Sequence, residues 1–162
     1  MVLDPEGTGI DFSIAHSAGV VAVALSGVYR VGVDVEPAVP RGADPIVWSE
    51  LSASERARLA TAPEAERARW FLRMWTLKEA FVKSTGAGSS MRFDRLGTSF
   101  DPPRVVVDGR DLDADVWSWC HQEEWAFEQK PYWLAVTARP GRVLHQLVAA
   151  GVDPERHGIP VR

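Results

Sequence analysis

Three short runs of β-branched and apolar residues, Ile10 to Ala15, Val20 to Leu25 and Val31 to Val35, are separated by Ala18-Gly19 and Ser26-Gly27. Runs of this kind with turn-prone residues between them predict three strands joined by tight connections. In the third, Val31, Val33 and Val35 alternate with Gly32, Asp34 and Glu36, so one face is apolar and the other presents carboxylates. Pro37, Pro40 and Pro45 then break regular structure, and 37–45 reads as the loop that carries the chain from strands to helices. Ser52 with Glu55 three residues later has capping-box spacing and predicts a helix over about 53–60. Pro63 suits the first turn of the next helix. From Glu64 to Ser84, apolar residues at 70, 71, 74, 77 and 81 keep a helical period, and Gly86 with Gly88 ends the run as a C-cap would.

Beyond Gly88 the pattern returns to strands, over Arg104 to Val107, Asp115 to Cys120, Glu124 to Phe127 and Tyr132 to Ala138. Asp108-Gly109 reads as a turn, and Gln122-Glu123 is expected to close a hairpin in which Trp117 and Trp119 alternate with polar residues. Pro140-Gly141 breaks the chain again, and Val143, Leu147 and Val148 predict a short C-terminal helix and polar tail within 139–162. The order strands, helices, strands predicts an α+β class: antiparallel strands packed against a long central helix. At 162 residues the chain has room for a single domain, 1–162, with one core.

Composition narrows the function classes. A hydrophobic fraction of 46% and a charged fraction of 25% are globular values. The net charge of -4 argues against nucleic acid as the partner. Cys120 is the single cysteine, which excludes an internal disulfide or a thiolate cluster and fits a reducing compartment. The first nine residues, MVLDPEGTG, hold two acids and no apolar run, and no segment approaches a membrane span, so a cytoplasmic location with no membrane partner is expected.

The candidate chemistry lies in three segments. Asp34 and Glu36 are two apart on a strand and share a face, so both can reach one hard cation, and two adjacent acids repel unless a cation sits between them. The plain alternative is a solvated strand end. On the long helix, Lys78 and Glu79 interrupt Trp75, Leu77, Phe81 and Val82, and Glu79 stands four residues before Lys83. That spacing also makes an ordinary surface ion pair. His16 with Ser13 and Ser17 is either a phosphate-binding corner or a strand-end histidine bonded to backbone. Glu55 is most simply a capping-box residue. The Thr85-Gly-Ala-Gly-Ser-Ser90 stretch lacks the GK[ST] ending of a P-loop.

Taken in order, Phe12-Ser-Ile-Ala-His-Ser17, Val31-Gly-Val-Asp-Val-Glu36 and Trp75-Thr-Leu-Lys-Glu-Ala-Phe-Val-Lys83-Ser-Thr-Gly resemble the 4'-phosphopantetheinyl transferases of the surfactin-synthetase type, over roughly residues 10–138. The resemblance implies a phosphopantetheinyl-transferase-like fold and transfer of the phosphopantetheine arm of coenzyme A to a serine of an acyl or peptidyl carrier protein, in secondary-metabolite or fatty-acid synthesis. Carried across by position, it implies Asp34, Glu36 and Glu79 as Mg2+ ligands and Lys83 as the pyrophosphate lysine with a catalytic part. It further implies His16, Ser17 and Lys78 as coenzyme contacts and Glu55 as the base. Members of that branch are two similar halves, and here most of the first half is expected to be absent, with Ser89-Ser90 replacing the leucine common after the glycines. A compact form that completes its site by dimerising, a fragment or subunit of a larger synthase, and a noncatalytic carrier-binding or scaffold module all fit that departure, as does a related enzyme with another substrate. The absent half and seven tryptophans lead to an expected homo-oligomer.

Overall fold

In the computed structural model of the chain, residues 9–39, 46–111, 119–140 and 147–149 are described. β1 (Asp11–Ser17) and β2 (Val20–Ser26) form an antiparallel hairpin closed by Ala18 and Gly19, both left-handed at φ 49° and 89°. A turn with two positive φ values follows the natural twist of the strands it joins. β3 (Tyr29–Pro37) leaves the hairpin. After it come α1 (Ala53–Thr61) and α2 (Glu64–Thr85), then a small antiparallel sheet of β4 (Leu96–Phe100), β5 (Pro103–Val107) and β6 (Arg110–Asp111). β7 (Trp119–Phe127) and β8 (Lys130–Pro140) return to β3 and make the central sheet in the order β3-β8-β7. β9 (Leu147–Ala149) pairs with β2.

The register of the central sheet explains its two faces. Val31, Val33 and Val35 stand opposite Ala138, Val136 and Leu134, and this apolar face packs on Ala15, Val20, Ala22 and Ala24 of the β1–β2 hairpin. Gly32, Asp34 and Glu36 stand opposite Thr137, Ala135 and Trp133, and α2 lies across that face. Thr137 Oγ1 donates to Ala80 O at 2.9 Å, a direct tie from sheet to helix. The carboxylate face of β3 is therefore covered by a helix, where the alternation alone left it open. Side chains from β1 satisfy β3's free edge: Val31 N donates to Asp11 Oδ2 at 2.6 Å and Val33 N to Ser13 Oγ at 3.0 Å.

The predicted helices form with the predicted ends. Ser52 and Glu55 make the reciprocal capping box of α1, and Gly86, left-handed at φ 73°, closes α2. Leu77, Phe81, Leu96 and Val105 join α2 to the small sheet, while Leu51, Leu59, Phe71 and Met74 join α1 to α2. The Asp108-Gly109 turn is present, at φ 52° and 71°.

The second half departs from expectation in three places. β7 runs unbroken through Gln122-Glu123, and its hairpin with β8 turns at Glu128 and Gln129, both with positive φ, at 47° and 63°. Gln122 points inward and bonds α2, donating to Arg73 O at 2.7 Å and accepting from Arg73 Nε at 3.2 Å, so it cannot serve as a turn residue. Leu147 to Ala149 form a strand along β2, and no helix; Val143 and the residues 115–118 of the expected second strand lie outside the described residues. β4, of sequence Leu-Gly-Thr-Ser-Phe, is a strand with no apolar alternation to signal it.

Candidate active site

The end of β3 and the last turns of α2 meet at Asp34. This residue is only 6% exposed; its Oδ1 accepts from Lys83 Nζ at 2.7 Å, and the same ammonium donates to Val33 O at 3.2 Å. Asp34 Oδ2 is buried and has no hydrogen-bond partner among the described residues. Burial pushes the Asp34 carboxyl up to about 7; Lys83 pulls against that shift, and Glu79 and Glu36 add to it. Glu79 is likewise raised, by burial first, against the pull of Lys83 and with the push of Glu36. The three acids therefore form one electrostatic cluster around one lysine. Glu79 and Lys83 face β3 together because they are one helical turn apart.

Glu36, half-buried, accepts from Ser17 Oγ at 2.8 Å, which ties the hairpin to the acid pair. His16 is exposed, and by strand alternation lies on the other face of the hairpin from Ser17, beside Ile14 and opposite Val21. The structure thus brings Ser17 to the cluster and leaves His16 on the outside. Among the described residues, no three His, Cys, Asp or Glu side chains converge closely enough to enclose a metal ion. The donor set is nonetheless of the right kind for a hard cation, since three carboxylates act on one another electrostatically and, among the described residues, Asp34 Oδ2 has no hydrogen-bond partner.

Lys78 and Glu55 form a separate pair. Lys78 is 1% exposed, and its ammonium donates to Glu55 Oε2 at 2.5 Å, Glu50 O at 3.0 Å and Phe93 O at 3.0 Å. Glu55, 2% exposed, also accepts from Ser52 N at 2.9 Å and, through Oε1, from Thr98 Oγ1 at 2.8 Å. Burial lowers the Lys78 pKa and the Glu55 carboxylate opposes that shift. An ammonium has three protons, and all three are spent within the protein. As placed, Lys78 has no donor left for a coenzyme phosphate and Glu55 has no open face toward a substrate hydroxyl.

Two arginines outside the predicted site, Arg69 and Arg73, buttress the end of β3. Arg69 donates to Ala38 O at 3.3 Å and pairs with Glu124, and the Arg69 and Arg73 guanidiniums lie 4.9 and 4.8 Å from the ring centre of Trp133, the cross-strand partner of Glu36. Their spacing of four residues on one helix face was the available signal. Like charges and burial lower the Arg73 pKa, with burial first and Arg69 and Arg58 following.

Comparison with known proteins extends this picture. The model of the 4'-phosphopantetheinyl transferase superfamily matches residues 30–137, a span that includes Asp34, Glu36, Glu55, Lys78, Glu79 and Lys83. The chain is 33% identical over 120 residues to the 4'-phosphopantetheinyl transferase pptA of Paxillus involutus, covering 62% of this chain and 44% of that protein. To the 4'-phosphopantetheinyl transferase AcpT of Salmonella typhi it is 37% identical over 114 residues, covering 67% of this chain and 56% of that protein. It thus spans about half the length of these relatives. A solved holo-acyl-carrier-protein synthase of Thermotoga maritima is similar with a TM-score of 0.43 at 24% identity, over 69% of this chain and 64% of that one. With a family match over most of the chain, and with the acids of β3 meeting Glu79 and Lys83 of α2 inside the matched span, the chain belongs to the 4'-phosphopantetheinyl transferase superfamily.

Proposed function

We propose that this chain transfers the 4'-phosphopantetheine arm of coenzyme A to a serine of an acyl or peptidyl carrier protein, with Mg2+ as cofactor. The observation that carries the reading is the Asp34, Glu36, Glu79 and Lys83 cluster at the junction of β3 and α2. In this reaction the serine oxygen attacks the phosphorus that bears the pantetheine arm. A new P–O bond forms, the P–O bond to the adenosine bisphosphate leaving group breaks, and the serine proton departs to a base or solvent. Such a reaction needs charge neutralisation and in-line placement of the hydroxyl more than covalent help.

Asp34, Glu36 and Glu79 would hold the Mg2+, which when bound supplies charge neutralisation on the diphosphate. Mg2+ keeps most of its waters and takes one or two carboxylates directly, so a closed protein cage is not required. Lys83, the cation of this cluster with 29% of its side chain exposed, is the group we assign to a phosphate oxygen. Ser17 orients Glu36; His16, exposed on the other face of the hairpin, stands apart from the cluster and has no part in this reading. A cytoplasmic setting follows from this substrate class.

Mass spectrometry of an apo carrier protein incubated with coenzyme A and Mg2+ tests the reading: the carrier gains the arm, and Asp34→Ala or Glu79→Ala lowers the rate by at least about a hundredfold while the fold survives. Unmodified carrier that still binds the chain would make it a carrier-binding module with no transferase activity. Full transfer by both variants would remove the acids from the mechanism.

A further inference from the structure

Lys78 and Glu79 are neighbours on α2, about a third of a turn of rotation apart, and they face different parts of the molecule. Glu79 joins the acids at β3. Lys78 enters a buried socket made by the Trp48–Glu50 turn, the start of α1 and the Phe93–Arg95 turn. Glu55 completes the socket: it holds Ser52 N at the head of α1 and Thr98 on β4 in addition to Lys78. One ion pair thus adds a buried polar tie from these segments to the helix that carries Glu79 and Lys83, beside the apolar contacts of Leu51, Phe93 and Leu96. The fastened Val47–Leu51 stretch presents Val47 and Trp48, 40% and 42% exposed, as an apolar rim.

We propose that Glu55 and Lys78 are positioning residues, whose buried pair clamps the Val47–Leu51 rim and the Phe93–Arg95 turn onto α2 in register with Glu79 and Lys83, and that deprotonation of the substrate hydroxyl is not Glu55's task. The proposal rests on the transferase reading for what is positioned, but the clamp itself does not depend on it. A base needs a free lone pair within reach of the proton it removes. Glu55 gives three of its carboxylate's roughly four acceptor sites to protein donors, and at 2% exposure it is closed off from a substrate in solution. Removing one partner strands the other as an unpaired buried charge, whereas removing both charges together does not.

The experiment compares wild type, Glu55→Gln, Lys78→Met and the double variant by carrier-transfer kinetics across pH and by amide hydrogen exchange. Leu51 N bonds Trp48 O and Ser52 N bonds Glu55 Oε2, so both amides report on the clamp. The clamp predicts that Lys78→Met speeds exchange at Leu51 and Ser52 at least about tenfold and raises KM for the carrier. It further predicts that the double variant returns to within about tenfold of wild-type kcat, with the pH profile unchanged. A base at Glu55 predicts the reverse: Glu55→Gln and the double variant both lose about a hundredfold or more in kcat, along with the acidic limb of the profile, and the second substitution rescues nothing. Should wild type transfer nothing, the transferase reading falls while exchange still decides the clamp. Unchanged exchange at Leu51 and Ser52 in Lys78→Met overturns it.

Discussion

Asp34 is the residue at which burial and chemistry conflict. An aspartate under a helix is costly as an anion, and the nearby Lys83 offsets that cost only in part, so the carboxyl is pushed up to about 7. Its proton is held more tightly in the native chain than in the unfolded one. Stability from this group is therefore fully present below the unfolded value of 3.8 and is lost as pH rises toward about 7. Asp34→Asn keeps the shape and removes the titration. Measured by denaturant unfolding, wild type should lose stability relative to Asp34→Asn between pH 4 and 7, with a slope approaching about 1.4 kcal/mol per pH unit. A flat difference would mean that Lys83 keeps the carboxylate ionised throughout.

Among elements, the contact of β3 with α2 sets the geometry of the site. Gly32 permits it: a Cβ there would stand 1.8 Å from Ala80 O and 2.6 Å from Ser84 N, both backbone atoms that cannot move aside without shifting the helix. Gly32→Ala should therefore cost about 3 kcal/mol or more in unfolding free energy, at the upper end of overpacking effects, and should disturb the Lys83–Asp34 ion pair two residues along the strand. Thermal unfolding together with the pH profile of the variant checks both. The strand and helix were each readable from their periods of two and 3.6 residues. Their face-to-face contact was not, because an alternating Gly, Asp, Glu face looks like a solvated one until a helix is laid over it.

At the scale of the whole molecule, the chain is layered: α2, the central sheet, then the β1–β2 hairpin. The outer face of that hairpin carries Ile14, Val21 and Leu25 at 52%, 64% and 42% exposure. This apolar face is the surface to which we assign the self-association expected from the tryptophan content, and sedimentation should show a dimer or larger species that Val21→Glu shifts toward monomer. A wild-type monomer at high micromolar concentration removes the assignment. Among the described residues, the tryptophans other than Trp48 are buried or half-buried, with Trp133 6% exposed and Trp70 and Trp75 half-buried against neighbouring rings.

Local pattern alone determined the early strands, the two helices with their caps, the Asp108-Gly109 turn and the set of acids and lysines worth watching, because each depends on residues within a few positions of one another. Tertiary structure alone decided which polar groups meet. Lys78 and Glu55 are 23 residues apart and Asp34 and Lys83 are 49 apart. No periodicity distinguishes a lysine that joins an acid cluster from one locked in a socket of carbonyls. The course of β7 was hidden for the same reason: Gln122 looks like a turn residue until Arg73, 49 positions away, supplies its partner. Burial creates the raised Asp34 carboxyl and the closed Glu55–Lys78 pair, and burial belongs to the packed molecule.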